Sequence, residues 1–276
     1  MTWIFNLAVG KVFALLFWPL RTLGDWPAMI IIAFLTGLLM LFIFRFTSNQ
    51  AGIRSSKNRI KAHLLELRLY KDNLAQQLRS QGKILAANGR YIGYAVVPML
   101  VMVVPVVLIL IQLGLWYESR PLRVGESALL KIKLAEGGRP LETEFRLEAP
   151  PGIEVETQAL RIEDEGEVDW RLKARDEGVH VLVIQAGGER VTMPVTAGPG
   201  RLARIAAVKP GPGFFGQLFN PGDKPIPKSA GIASVEVAYP PRTMSLFGWR
   251  IHWLIAYFVL SVAIGFAFKG VFKVEI

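Results

Sequence analysis

The chain has no cysteine, which excludes disulfides, thiolate nucleophiles and cysteine-ligated metal together. Histidine is almost as scarce. His63, His180 and His252 fall in a basic helical stretch, an expected strand and the flank of an apolar run, so one chain cannot gather them around a metal. Gly211 and Gly213 alternate with Pro210 and Pro212, which denies the backbone the N–H donors that a phosphate cradle requires. The acids Glu163, Asp164, Glu165, Glu167 and Asp169 read as a solvated turn, and no nucleophile stands beside a base. Neither a cofactor nor catalysis is expected.

Charge is also missing where it matters most. None occurs over the nineteen residues from Trp26 to Phe44, or over the twenty-seven from Tyr91 to Tyr117. With 52% hydrophobic and 20% charged residues, the composition points to an integral membrane protein. Three spans are expected. The first, residues 26–46, is capped by Asp25, tolerates Pro27 in its first turn and ends at Arg45. The second, residues 91–116, carries Tyr91, Tyr94, Trp116 and Tyr117 as aromatic belts, with Pro98 and Pro105 on one face of a bent helix packed against protein. The third, residues 248–268, begins with Trp249, Arg250, His252 and Trp253 and holds Ser261 and Gly265 as a small-residue pair for close packing. Residues 1–25 are read as an amphipathic interfacial helix with Asn6, Gly10 and Lys11 on one face, a fourth span or uncleaved signal being the alternative.

The net charge of +10 is uneven. Residues 51–90 hold nine Lys or Arg against two acids, whereas residues 117–247 hold 17 bases and 18 acids, so the excess orients the spans and gives no reason to expect nucleic acid. Residues 47–90 and the tail 269–276 are therefore expected in the cytoplasm of an inner membrane, with the N-terminus and residues 117–247 outside. Within the basic segment Ile53, Ile60, Leu67 and Leu74 recur every seven residues, with Leu64, Leu78 and Leu85 at the second seam position. A coiled-coil hairpin turning at Tyr70–Asn73 satisfies this pattern; a basic helix lying on anionic lipid also does. Arg54, Lys57, Arg59, Lys61, Arg68 and Lys71 form its basic surface.

Residues 117–247 change character, with short alternating runs at 128–134, 143–147, 153–157, 168–174, 179–185 and 190–195 and a last one at 235–237. These predict an all-β, immunoglobulin-like sandwich with Trp170, Leu172, Val181 and Val183 inside, followed by a Pro/Gly-rich connection whose Phe214 and Phe215 pack on the domain or on the membrane. Polar groups at the cytoplasmic mouth of the first span (Arg45, Thr47, Asn49, Gln50) and within the spans (Thr36, Gln112) are candidates for a polar groove open to the cytoplasm, or for ordinary interfacial and interhelical contacts.

The order of elements, an outer interfacial helix, a span, the basic segment beginning IRSSKNRIKAHLLELRLYKDNLAQQL, a proline-bearing span and a later span ending inside, resembles the YidC-type insertase superfamily over residues 1–116 and 248–268. The resemblance implies a hydrophilic groove in the inner leaflet, a charge-attracting role for Arg45, client reception by the hairpin, and membrane lipids and client membrane proteins as partners. Its bacterial members hold the groove arginine at mid-span and have a short link where this chain has the β-domain. A scaffold subunit of an envelope complex, binding a partner through its β-domain, is the alternative.

Overall fold

The uncharged runs form helices because nothing in them competes with the backbone for hydrogen bonds. The computed structural model describes residues 2–70, 73–222 and 224–275, the side chains of residues 2–5 excepted. Helix α1 covers Thr2–Leu20, α2 Asp25–Thr47, α3 Gln50–Leu69 and α4 Leu74–Tyr117; α5 is Phe214–Phe219 and α6 Trp253–Phe268. Two of these, α2 and α4, are long and apolar enough to cross a membrane. At 16 residues α6 is shorter. The expected third span is thus trimmed at its start, where residues 249–251 form a strand instead. The chain divides into two units, one of Met1–Ala28 with Ile109–Trp253, the other of Met29–Leu108 with Leu254–Ile276.

In the second unit the basic segment folds back on itself. Tyr70 caps α3, and the Asn73 side chain accepts from Gln76 N–H at 3.1 Å to start α4. The proposed turn residue Asp72, like Lys71 of the basic surface, lies outside the described residues. The arms meet where Ser80 Oγ donates to Glu66 Oε2 at 2.9 Å. Their facing sides are Ile53, Ser56, Ile60, His63 and Leu67 against Ser80, Ile84, Ala87 and Tyr91, all buried or half-buried. The series Ile53, Ile60, Leu67 is on the seam as expected. Leu64, Leu78, Leu85 and Leu74 are not: they are 52–72% exposed, because small residues, Ser56, Ser80 and Ala87, occupy the close approach. The second arm and the expected second span are one continuous helix, in which Pro98 is buried and Pro105 half-buried.

The first unit is built on a β-sandwich. Strands β1 (Ser127–Leu134), β3 (Ile153–Val155), β4 (Leu160–Ile162), β5 (Glu167–Ala174), β8 (Val208–Pro210) and β9 (Ile232–Val237) make one sheet, ordered β3-β5-β1-β9-β8 with β4 on β5. Strands β2 (Phe145–Glu148), β6 (Gly178–Ala186) and β7 (Glu189–Ala197) make the other, ordered β2-β6-β7. All named strand pairs are antiparallel. Leu130, Ile132, Leu172, Leu182, Ile184 and Val195 fill the space between the sheets at 0% exposure. Trp170 and Leu172 are inside as expected, but Val181 is 48% exposed and Val183 half-buried. The run VHVLVI is apolar on both faces, so its inner side is set by pairing with β7 rather than by its own alternation. A hairpin of β10 (Met244–Leu246) and β11 (Trp249–Ile251) follows the sandwich.

The ends of the apolar helices in this unit are fastened to the sandwich. The Arg242 guanidinium, 5% exposed, pairs with Asp25 at 3.0 Å and donates to the Arg201 carbonyl at 2.9 Å. Tyr117 donates its hydroxyl to the Asp25 carbonyl at 3.1 Å. Phe17 stacks on Trp116, centroids 4.3 Å apart. The expected polar face of α1 is divided: Asn6 donates to the Gln217 carbonyl at 2.6 Å and Gly10 is buried, whereas Lys11 is exposed together with Val12, Leu15 and Trp18.

After the helix end at Tyr117, Arg120 donates two hydrogen bonds to Glu126, at 2.7 and 2.8 Å. This contact, with Arg123 N–H adding a third, holds the Glu126 carboxyl down from 4.5 to about 2. A depressed carboxyl contributes stability above pH 4.5 that is lost as pH falls toward about 2. Glu126→Gln is therefore expected to lower stability at neutral pH by about 1 kcal/mol, allowing for solvent screening. The difference from the parent should vanish as pH approaches 2, read by thermal unfolding across pH.

Candidate groove between the apolar helices

The second unit contains a cavity of about 440 Å³ between α2, α4 and α6. Its walls are Gly37, Met40 and Phe44 of α2, Tyr91, Met99 and Met102 of α4, and Phe258, Ser261 and Gly265 of α6. At one end stand Ile53 and Glu275. Three thioethers among aromatic and small residues make a deformable apolar wall, because methionine is unbranched and polarizable.

Glycine creates the groove's shape at two positions. A Cβ on Gly37 would lie 3.0 Å from the Ser261 carbonyl and 3.1 Å from Ile264, so α2 and α6 touch here through backbone. At Gly265 a Cβ would meet nothing within 4 Å, and the space it leaves is groove. The expected small pair is thus divided: Ser261 lies at the contact and Gly265 at the opening. Farther along, Phe34 and Phe268 meet edge to face at 5.5 Å.

Polar groups in the groove are few. Thr36 is 5% exposed and donates to Ile32 O at 2.9 Å within its own helix. The buried Tyr257 hydroxyl lies beside it and lacks a partner of hydrogen-bonding geometry. Ser261 donates to Phe258 O at 3.1 Å. At the Glu275 end, the Glu275 N–H donates to Gln50 Oε1 at 2.7 Å and Lys57 Nζ stands 3.9 Å from the Glu275 carboxylate.

Of the six groove candidates, the structure brings Thr36 alone to this lining. Thr47 lines a separate shallow apolar recess with Phe42, Phe46, Val101 and Pro105 and donates to Ile43 O at 2.7 Å. Arg45 is exposed, its guanidinium carbon 5.9 Å from the Phe46 ring centroid, and is not part of the groove wall. Asn49 caps α3 by accepting from Gly52 N–H at 2.9 Å. Gln50 ties down residue 275. Gln112 belongs to the first unit, 2% exposed, with Oε1 unpartnered and near Gly10. Hydrophilic mouth residues therefore became caps and ties, because helix termini leave orphan backbone groups that such side chains satisfy. Of the basic surface, Arg54, Arg59, Lys61 and Arg68 are exposed and Lys57 is half-buried.

Sequence reasoning missed Tyr257 and the methionines. A phenol hydroxyl one helical turn before Ser261 in the uncharged third run was the available signal for the first; methionine in an apolar helix carries none. Near the hairpin arms, Glu66 gathers His63 at 3.1 Å, Ser80 and Lys83 at 4.0 Å, and these hydrogen bonds, His63 first, hold its carboxyl below the usual range.

The two glycines give opposite expectations. Gly37→Val drives a side chain into backbone and is expected to destabilise the helices by about 1–3 kcal/mol. Gly265→Leu fills open space and is expected to leave the unfolding midpoint in detergent unchanged or raised, as measured by circular dichroism.

No family model matches the chain, and no curated protein matches it. Two solved structures are similar over 30% of its length: domains 4 and 5 of the S-layer protein SbsC, at 16% identity, TM-score 0.24 and 48% of that chain, and the S-layer protein rSbsC(31-844), at 18% identity, TM-score 0.23 and 12% of that chain. Likeness at these TM-scores carries no statement about fold or function.

Proposed function

We propose that the chain is a multi-pass membrane protein of the insertase or membrane-chaperone kind, which holds hydrophobic segments of other membrane proteins in the groove between α2, α4 and α6. The observation that carries this reading is the groove itself: partly open, apolar and thioether-lined, built from helices of which two are of spanning length. A transmembrane segment entering it exchanges one apolar surrounding for another, while the hydroxyls of Thr36, Tyr257 and Ser261 offer partners to an occasional polar side chain. The departure from the hydrophilic groove implied by the resemblance is a change of emphasis, from polar transit to apolar reception.

The hairpin fits the same role. Leu64, Leu65, Leu69, Leu74, Leu78 and Leu85 are 52–74% exposed among Arg and Lys side chains, a surface able to bind an apolar segment bearing acidic flanks. By the positive-inside rule this hairpin is cytoplasmic and residues 118–246 are on the opposite side of an inner membrane. No covalent step is involved.

The scaffold reading has one observation in its favour. Strand β2 pairs β6 at Val183–Ala186 only, and the remaining part of β6 presents exposed Val179 and Val181. An extended partner segment would add there.

A photoreactive residue placed at Met99, on the groove wall, is expected to crosslink a newly made single-span protein in membrane vesicles. One at Leu100, which lines no part of the groove, is expected to give lipid adducts instead. Gly265→Leu should reduce the Met99 adduct, and deleting residues 58–80 should abolish it. Equal yields at both positions, or a Met99 adduct indifferent to Gly265→Leu, exclude the groove; external contacts kept by the deletion, with client adducts absent throughout, favour the scaffold.

A further inference from the structure

The hairpin β10–β11 presents its least water-compatible residues at its tip. Phe247 is 96% exposed and Trp249 78%, with Leu246 at 39% and Arg250 also exposed. Phe247 sits in the left-handed region at φ 51° beside Gly248 at φ 86°. Turns of this kind are ordinarily made by Asn-Gly or Asp-Gly, since a bulky side chain there costs free energy. A residue that neither suits its backbone nor packs on the protein is placed for something outside it.

We propose that this hairpin is a lipid anchor: Phe247 and Trp249 enter the phospholipid interface, and Arg250 meets headgroup phosphate. Two observations select lipid over a protein partner. Covalent continuity comes first, since the uncharged helix α6 begins at Trp253, two residues past β11, so the tip lies within a few residues of the membrane boundary if α6 enters the bilayer. The second is a tether to another apolar helix: Trp26, near the start of α2, donates Nε1–H to the Ser245 carbonyl at 2.7 Å. Hairpin and helix starts are thus held together within one unit. The same unit carries matching features on α1, where Leu15 and Trp18 are 74% and 65% exposed, and on α5, where Phe214, Phe215 and Phe219 are 55–70% exposed. Aromatic side chains with an adjacent cation are the composition favoured at a membrane interface.

The inference rests on the membrane-spanning reading, and the test separates the two. Because the chain lacks cysteine, single spin labels are introduced cleanly at Phe247→Cys, Val179→Cys on the outer face of the sandwich, and Val103→Cys in α4. The full chain is reconstituted in phosphatidylcholine and phosphatidylglycerol vesicles, and collision with oxygen and with a water-soluble nickel chelate is measured. The anchor gives an oxygen-favoured ratio at residue 247, as at 103, and a nickel-favoured ratio at 179. A nickel-favoured ratio at 247 with 103 still in lipid overturns the anchor and leaves the spans intact. Protection of 247 from both reagents also overturns it, in favour of a protein partner. A nickel-favoured 103 removes the spans and the anchor together. As a check free of a changed turn, Trp249→Phe is expected to remove a brominated-lipid-quenchable part of the tryptophan emission; unchanged quenching contradicts the anchor.

Discussion

Everything in this protein depends on apolar helix surface that the protein does not cover. In α4 alone Val96, Val97, Met99, Leu100, Val101, Val103 and Val104 are 42–66% exposed. Hydrating such side chains costs roughly 1–2 kcal/mol each, about 10 kcal/mol together, comparable to the whole net stability of a domain, about 5–15 kcal/mol. The core helix of a soluble protein would be mostly buried, whereas 11% of the apolar window of α4 and 39% of that of α2 is buried. On the proposed membrane reading a bilayer relieves this burden, and the groove between these helices is then a place where another apolar helix sits at little cost.

The first unit answers a different demand, that of holding helix ends still. Asp25 stands in the first turn of α2, where its charge suits the helix dipole, and it is fixed by the buried Arg242. Removing one member of such a pair strands the other, which costs far more than the pair contributes when intact. The arginine's further bonds to the carbonyls of Gly200 and Arg201 connect the long Pro/Gly-rich connection to the same point. That connection is consequently less loose than its composition suggests; it also supplies β8 and α5, neither of which the sequence pattern indicated.

Legibility followed the strength of local pattern. The limits of α2 and the turn at Asn73 could be anticipated because charge and side-chain acceptors define them locally, whereas Asn49, expected at a polar mouth, is a helix cap. The hairpin's first seam series was legible from its seven-residue spacing, but the second was misassigned, since leucine is the stronger hydrophobe while the close approach of two helices selects Ser56, Ser80 and Ala87. The face of β6 was read one residue out of phase for want of polar alternation. The β10–β11 hairpin was hidden because LFGW, residues 246–249, is apolar throughout, so Gly248 looked like the start of a helix. In the groove, Thr36 was recognisable as a hydroxyl in an uncharged run, whereas Met99 and Met102 acquire meaning only from the neighbours that tertiary packing supplies. Arg45 and Gln112 share a chemistry that suits a groove, yet sequence holds no record of which side of a helix faces it.

Groove and hairpin anchor both presuppose that α2 and α4 lie in a bilayer. Vesicles from cells making the full chain, washed with alkaline carbonate and floated on a density gradient, test it most directly: the chain should rise with the lipid fraction. Release into the carbonate supernatant as soluble protein would contradict the account, leaving the uncovered surface of α4 and the groove beside it without the environment from which their roles are argued.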